Sequence, residues 1–497
     1  MFEPSDILFF WKSYNNFYLI LFPKFYPMKI EQIYTGCIAQ AAYYLESNGE
    51  AAIFDPLREV QPYLDRAQKD HATIKYIFET HFHADFVSGH IDLAKKSNGK
   101  IVYGPTAKPQ FEAIIAEDNQ EFKVGHYTVK AIHTPGHTLE STCYLLLDEN
   151  GKQHGIITGD TLFIGDVGRP DLAQALVEDL TQEKLASYLF DSLRNKIMPL
   201  SDDLIVYPSH GAGSACGKNM SKETTDTLGN QKKTNYALRA DMTREEFTKE
   251  LLDGLGLPPA YFPQNVLLNI QGYDSLDSII EKSNKALNPK EFEMLANQSE
   301  AVILDVRHEN EYVKKHIPNS IFIGIQGNFA PWVGALLADV NQKILLVTPE
   351  NKEEETITRL SRVGFDHVLG YLKGGLEAWT AAGYETDAIA SISPEQFAAE
   401  LTDSSLVVDA RKPGEFEAEH VENALNIPLD TINANFSMVP KNETFYLHCA
   451  GGYRSVIMAS ILKSRGFHDL INVEKGISGI RNTNVKLTHV VCPSNLK

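Results

Sequence analysis

Cysteine is scarce. The chain has five in 497 residues (Cys37, Cys143, Cys216, Cys449 and Cys492), an odd number and widely scattered. That excludes a disulfide framework and points to a reducing compartment, the cytoplasm, with one or two working thiols. Positive charge is also short: 46 Lys and Arg against 65 Asp and Glu leave a net charge of −19. Such a chain cannot broadly neutralise phosphates, so neither nucleic acid nor an anionic membrane is expected as a partner, while small anions can still enter local basic pockets. No apolar run approaches the roughly 20 residues of a membrane helix. What remains is ordinary globular composition, 43% hydrophobic and 22% charged, enough for several cores and, at about 150 residues each, about three domains.

Residues 1–27 stand apart. They are rich in aromatics but broken by Lys12, Asn15, Asn16, Pro23 and Lys24, and they open with Glu3 and Asp6 rather than the basic start of a signal peptide. The alternating strand pattern MKIEQIYTG begins at Met28. The expectation is a non-native or disordered extension before a start at Met28, with a peripheral anchor as the alternative.

Three units follow. Residues 28–265 carry nearly all the histidines of interest, and 266–288 read as a linker, its polar stretch from Gly272 to Pro289 as a helical connector. Then a repeat appears. LDVRHENEYVKKHIPNS (304–320) parallels VDARKPGEFEAEHVENA (408–424), and SRVGFDHVLGYLKGG (361–375) parallels KSRGFHDLINVEKG (463–476). Both copies, 289–386 and 390–497, alternate strand and helix patterns, as a parallel-sheet α/β unit does.

In the first unit four apolar strands each run into a loop bearing His or Asp: IKYIFETHFHADF, YTVKAIHTPGHT, HGIITGDTLF and LIVYPSHGAG. A lone histidine in a turn is usually hydrogen-bonded rather than metal-bound. Four such strand ends in series can converge on one edge of a sheet sandwich as an open metal site. The candidates are His81, His83, Asp85, His137, Asp160 and His210.

These motifs resemble those of the metallo-β-lactamase superfamily, which implies an αββα sandwich. Hydrolases of that fold, such as the glyoxalase II thiolesterases, bind two ions through H-x-H-x-D-H. Here Phe86 follows Asp85, so the second ion loses a ligand and one metal per chain is expected. ETHFHADFVSGH and TGDTLFIGDVGRPDL (158–172) resemble the persulfide dioxygenases in particular. That resemblance implies one Fe(II) on His81, His137 and Asp160, a set suited to non-heme oxygen chemistry. His83, Asp85 and His210 would orient water and ligands, and Cys216 would lie near enough to touch a persulfide.

In the last unit TFYLHCAGGYRS places Cys449 at a strand end, before a loop and a helix start. Loop N–H groups and the helix terminus favour thiolate, and Arg454 adds a fixed cation. The loop resembles that of the rhodanese sulfurtransferases, implying catalysis by Cys449 and Arg454, with Ala450, Gly451, Gly452, Tyr453, Arg454 and Ser455 around the substrate. Asp409, Arg411 and Glu415 read as turn and salt-bridge residues. The middle copy has no cysteine; an offset of 102 sets Val347 opposite Cys449, and the loop is acidic. It resembles an inactive rhodanese acting as spacer or docking surface.

The whole from Met28 resembles fused bacterial sulfide-detoxification enzymes: an α/β and α+β chain with a metallo-β-lactamase sandwich followed by two rhodanese-like domains. The implied partners are a low-molecular-weight thiol persulfide, O2, sulfite and thiosulfate, and a homo-oligomer is expected. The competing expectations are a zinc thiolester hydrolase of the glyoxalase II type, and a sulfur carrier or sensor with a vestigial metal site.

Overall fold

The computed structural model describes residues 12–13, 16–17, 29–171, 180–337, 339–441 and 443–489. Most of the expected N-terminal extension, Leu172 and Cys492 lie outside these residues.

The first domain holds two six-stranded sheets. One orders β1 (Lys29–Thr35), β2 (Gln40–Ser47), β3 (Glu50–Phe54), β4 (Thr73–Phe78), β5 (Lys100–Tyr103) and β6 (Ile114–Ile115) in sequence. The other contains β7 (Glu121–Val124), β8 (Tyr127–His133), β9 (Thr142–Leu147), β10 (Gln153–Gly159), β11 (Ile205–Pro208) and β12 (Asp226–Thr227), again side by side. Strand alternation builds the layers. Tyr43 and Leu45 join Phe54, Phe78 and Tyr144 between the sheets. Their neighbours Ala42 and Tyr44 face the other way, with Tyr63 and Ala67 of α1 (Gln61–Lys69). In β9, Tyr144 and Leu146 point inward, while Cys143 and Leu145 share a cluster with Leu189 of α2 (Gln182–Ser192). The result is helix, sheet, sheet, helix, the expected sandwich.

The next two domains share one topology. Each has five parallel strands. The middle sheet orders Ala286–Leu287, Val368–Leu372, Ile344–Val347, Val302–Asp305 and Ile321–Phe322. The last orders Ser391–Ile392, Leu470–Val473, Phe445–His448, Leu406–Asp409 and Leu425–Asn426. Strand pairing refines the expected correspondence. Asp305 sits opposite Val347, and Asp409 sits opposite His448. Thr348, rather than Val347, therefore takes the place of Cys449, and the middle domain still offers no sulfur there.

The stretch expected as a linker is built into the fold. Helix α3 (Phe262–Gln271) packs beside the metal loop, and Ala286–Leu287 is an edge strand of the middle sheet. The domains interlock through charge. Arg58, whose side chain is fully buried, holds Asp366 through two bonds of 2.8 and 2.9 Å and donates to the carbonyls of Ser361 and Asp274. Arg362 pairs with Glu59, and its carbonyl accepts from Val87 N–H at 2.7 Å. No helix among the described residues is long and apolar enough to cross a membrane.

Removing one partner of a buried pair strands the other charge. Asp366→Ala is expected to cost about 3–5 kcal/mol of docking between the first and middle domains. The measurement is chemical denaturation with limited proteolysis of the 254–290 region; an unchanged midpoint and cleavage rate would refute the interlock.

Candidate metal centre and thiol loop

The loop after β4 has no ladder of its own, so outside groups must satisfy its peptides. Asp55 ends β3 with φ of 49°. Its carboxylate accepts Thr80 N–H (2.8 Å), Thr80 Oγ1–H (2.9 Å) and Ser209 Oγ–H (2.8 Å), tying three strand ends together. Burial pushes this carboxyl up, but His83 and these donors outweigh it and hold it below the usual range. Gly159, at φ of 54°, turns the chain towards Asp160; a Cβ there would lie 2.7 Å from Thr80.

Three of the six candidates meet. His137 Nε2 is 3.4 Å and His81 Nε2 3.9 Å from Asp160 Oδ2, too far for a good hydrogen bond. Both Asp160 oxygens are buried without a donor. The far side of each ring is committed. His137 Nδ1 donates to Arg169 O at 2.8 Å. His81 Nδ1 lies 3.0 Å from Thr80 Oγ1, whose own proton goes to Asp55, so the ring donates. Both Nε2 atoms therefore face Asp160. Burial, helped by the nearby histidines, holds His81 well below the usual imidazole range and keeps it neutral. Two imidazoles around an orphaned buried carboxylate fit a divalent cation.

The remaining candidates lie beside this group. His83, Asp85 and His210 offer atoms within 4.8 Å of one another, and so do Asp160, His210 and Cys216. His210 donates Nδ1–H to Ala39 O (3.1 Å), leaving Nε2 3.5 Å from Asp85 and 3.6 Å from Asp160. Burial works against its charge, but Asp85 and Asp160 outweigh burial and raise it. Burial pushes the Cys216 thiol well up, with Asp85 and Asp160 adding to it. His83 turns Nε2 towards Asp55 (3.1 Å) and Glu79 (3.5 Å), and its ring stacks on buried Phe86 at 4.3 Å.

Sequence reasoning missed the supports. Asn269 is fully buried; its amide donates to His83 O (2.8 Å) and Phe86 O (2.9 Å) and accepts Ser88 N–H (2.9 Å). Tyr261 donates to Asp85 O at 3.2 Å. Asp55 had a readable signal, since AAIFDP is also an apolar strand ending in Asp. Asn269 had none, because it lay in the presumed linker.

Cys449 follows the strand Phe445–His448, and Gly452 N–H donates to its sulfur at 3.2 Å. Gly452, at φ of 111°, starts α4 (Tyr453–Ser464). Gly476 backs the loop so closely that a Cβ would lie 2.2 Å from Cys449 O. Glu415 is more than a turn residue: it grips Arg454 in a two-pronged pair of 2.6 and 2.7 Å. The Arg454 guanidinium, offset by partial burial, holds Glu415 below the usual carboxyl range. Of the other expected substrate contacts, Gly451 is exposed with open space around it, and Ala450 O is bonded to Ser478. Ser455 Oγ is bonded to Gly452 O, and the Tyr453 hydroxyl leaves the loop to bond Gly324 O of the middle domain at 2.8 Å.

A family model described as metallo-beta-lactamase superfamily matches residues 35–210, and one described as rhodanese-like domain matches 288–382 and 393–483. A hydroxyacylglutathione hydrolase of Pseudoalteromonas translucida is 30% identical over 248 residues, covering 50% of this chain and 83% of that protein. A probable hydroxyacylglutathione hydrolase of Schizosaccharomyces pombe is 28% identical over 183 residues, covering 36% of this chain and 66% of that protein. A crystal structure of a metallo-beta-lactamase from Staphylococcus aureus subsp. aureus COL is 30% identical with a TM-score of 0.60, covering 70% of this chain and 98% of that one.

Asn269→Ala frees three peptide groups of the metal loop. It is expected to weaken metal binding about 10- to 100-fold, as losses of ligand-orienting groups do. Competition against a chelator checks this, with circular dichroism reporting an intact fold; unchanged affinity would make Asn269 a packing residue only.

Proposed function

Because the chain belongs to the metallo-β-lactamase superfamily and carries two rhodanese-like domains, we propose that it is a persulfide dioxygenase coupled to a sulfurtransferase. The net first reaction is RSSH + O2 + H2O → RSH + sulfite + two protons. One Fe(II) held by His81, His137 and Asp160 would supply the oxygen activation and would leave positions open for persulfide and O2.

The single observation that carries this reading is the site's asymmetry. His81, His137 and Asp160 form a two-imidazole, one-carboxylate group, and His83, Asp85 and His210 form another beside it; what the second group lacks is a ligand after Asp85, where the buried, metal-inert Phe86 stands. Around the first group His210 and Asp85 form a buried donor–acceptor pair able to hold a water and its protons. Phe82 and Phe86 exclude bulk water from the loop.

At the second site the Cys449 thiolate attacks the outer sulfur of a donor persulfide. The donor S–S bond breaks, its thiolate leaves, and Cys449 carries the sulfur, facing Gly452 N–H. Sulfite then attacks that sulfur, giving thiosulfate and restoring the Cys449 thiolate. Arg454, held by Glu415, supplies a fixed positive charge beside these anions. Tethering the two sites keeps sulfite concentrated near Cys449.

A thiolester hydrolase is the second reading. The relatives' names favour it, and so does the grouping of His83, Asp85 and His210, which would help hold a second ion.

O2 uptake on adding a thiol persulfide to anaerobically purified protein, with metals counted in the same sample, separates the two. Rapid uptake with one iron per chain and sulfite or thiosulfate as product supports the dioxygenase. Two zinc ions and thiolester cleavage without uptake would replace it with the hydrolase. Asp160→Ala is expected to abolish uptake and spare sulfur transfer, and Cys449→Ser to do the reverse.

Glu415→Gln is expected to slow sulfur transfer about tenfold, since a charge-assisted pair is worth about 1.5–3 kcal/mol. The folded carboxyl sits below its usual value. Its contribution is therefore complete above the unfolded value and lost only as pH falls through the lower, folded one. Between pH 5 and 9 the variant's rate profile should keep the parent's shape; a changed shape would mean that Glu415 itself titrates in the reaction.

A further inference from the structure

A cavity of about 480 Å³ lies where the first and middle domains meet, and neither reaction above uses it. Its walls include Cys37 from the β1–β2 turn, Gly327 from the middle domain, and Lys352, Glu355 and Arg359 from the helix Glu353–Ser361 and its start.

This helix is the middle domain's counterpart of α4. At the 102 offset of the sequence repeat Lys352 lines up with Arg454, although Lys352 stands just before its helix and Arg454 is the second residue of α4. The silent domain has thus lost its thiol and kept a cation at the loop. The first domain presents a thiol to the same cavity. Cys37 is half-buried, and Arg362 Nη1 donates to its sulfur at 3.2 Å.

The lining charges leave one net positive, because Glu355 is shared between Lys352 (2.8 Å) and Arg359 (3.4 Å). Arg359 is largely buried, its side chain 11% exposed, and its Nε has no partner. Glu350, Glu353 and Glu354 stand in the same loop and helix start, so the cations available to a small anion in the cavity are Lys352 and Arg359.

The position adds a reason. Two residues beyond Cys37, Ala39 O holds His210 of the metal centre. On the opposite wall, Gly327 lies so close to the Tyr453 ring that a Cβ there would stand 2.4 Å from it. The cavity lies between the turn bordering one site and the residue preceding Arg454 in the other.

We propose that this cavity binds a thiosulfate-class dianion and that Cys37 accepts its outer sulfur. The thiol proton goes to solvent. Cys37 Sγ bonds to the outer sulfur as the thiosulfate S–S bond breaks, and sulfite leaves with the electron pair. Cys37 is left as a persulfide, and no oxidant is consumed. The inference does not depend on which metal the first site holds.

The test is full-length, anaerobic protein incubated with millimolar thiosulfate, alkylated, and read by peptide mass at Cys37 and Cys449 separately. The expected result is a gain of one sulfur at Cys37, slowed about tenfold in Lys352→Glu, as charge reversal at an anion's entry predicts, while Cys449 labelling is unchanged. Sulfur at Cys449 but none at Cys37 would overturn this inference and leave the proposed sulfurtransferase standing. Sulfur at Cys37 but none at Cys449 would support the inference and leave the Cys449 step, which takes its sulfur from a persulfide, to its own test. Labelling of Cys37 at the same rate in Lys352→Glu, or without competition from excess sulfate, would show a merely exposed thiol and would also overturn it.

Discussion

The segment from Glu79 to Ser88 carries three of the six metal-site candidates and forms neither helix nor strand. A buried backbone without a ladder must find partners elsewhere, and the rest of the molecule is arranged to supply them. Asp55 takes Thr80 N–H, Glu140 takes Phe82 N–H, and Tyr261 reaches Asp85 O. Asn269 serves His83, Phe86 and Ser88. The middle domain closes the set, since Arg362 O accepts Val87 N–H. Partners thus come from the sandwich, the connecting helix and the next domain. The shape of the metal loop is therefore a property of the docked chain rather than of the sandwich alone.

This gives the domain without a thiol a physical role. It braces the metal loop on one side. On the other, Ser460 of α4 accepts Phe322 N–H, and Tyr453 reaches Gly324 O. One continuous cluster of buried apolar residues runs from Phe82 and Phe86 through Tyr261, Val333 and Phe322 to Cys449 and Met458. Close packing of that kind transmits displacement poorly tolerated by either site.

The electrostatics follow the same division. The metal centre is buried, and desolvation holds His81 well below the usual imidazole range and pushes the Cys216 thiol well up, while Asp85 and Asp160 raise His210 against its burial. The thiol loop works with a fixed cation instead, Arg454, itself oriented by Glu415.

Much was legible in one dimension. The four strand-end motifs, the 104- and 102-residue repeats and the sandwich followed by two parallel-sheet domains all rest on local pattern, because strand period and turn residues are local properties. So does the absence of cysteine in the middle domain. What local pattern could not carry was anything joining distant segments. Strand register moved the counterpart of Cys449 from Val347 to Thr348, since a one-residue difference in loop length is invisible until strands are paired. The supposed linker proved to hold Asn269 against the metal loop. Glu415 makes the salt bridge expected of it, but that its partner is Arg454 of the thiol loop needed the fold, and Cys37, read only as one scattered thiol, faces a cavity walled by another domain. Sequence alone determined which chemical groups stand at the ends of which strands. Only tertiary structure decided which of them share a buried space, because burial and hydrogen bonding between segments hundreds of residues apart depend on packing that no local periodicity records.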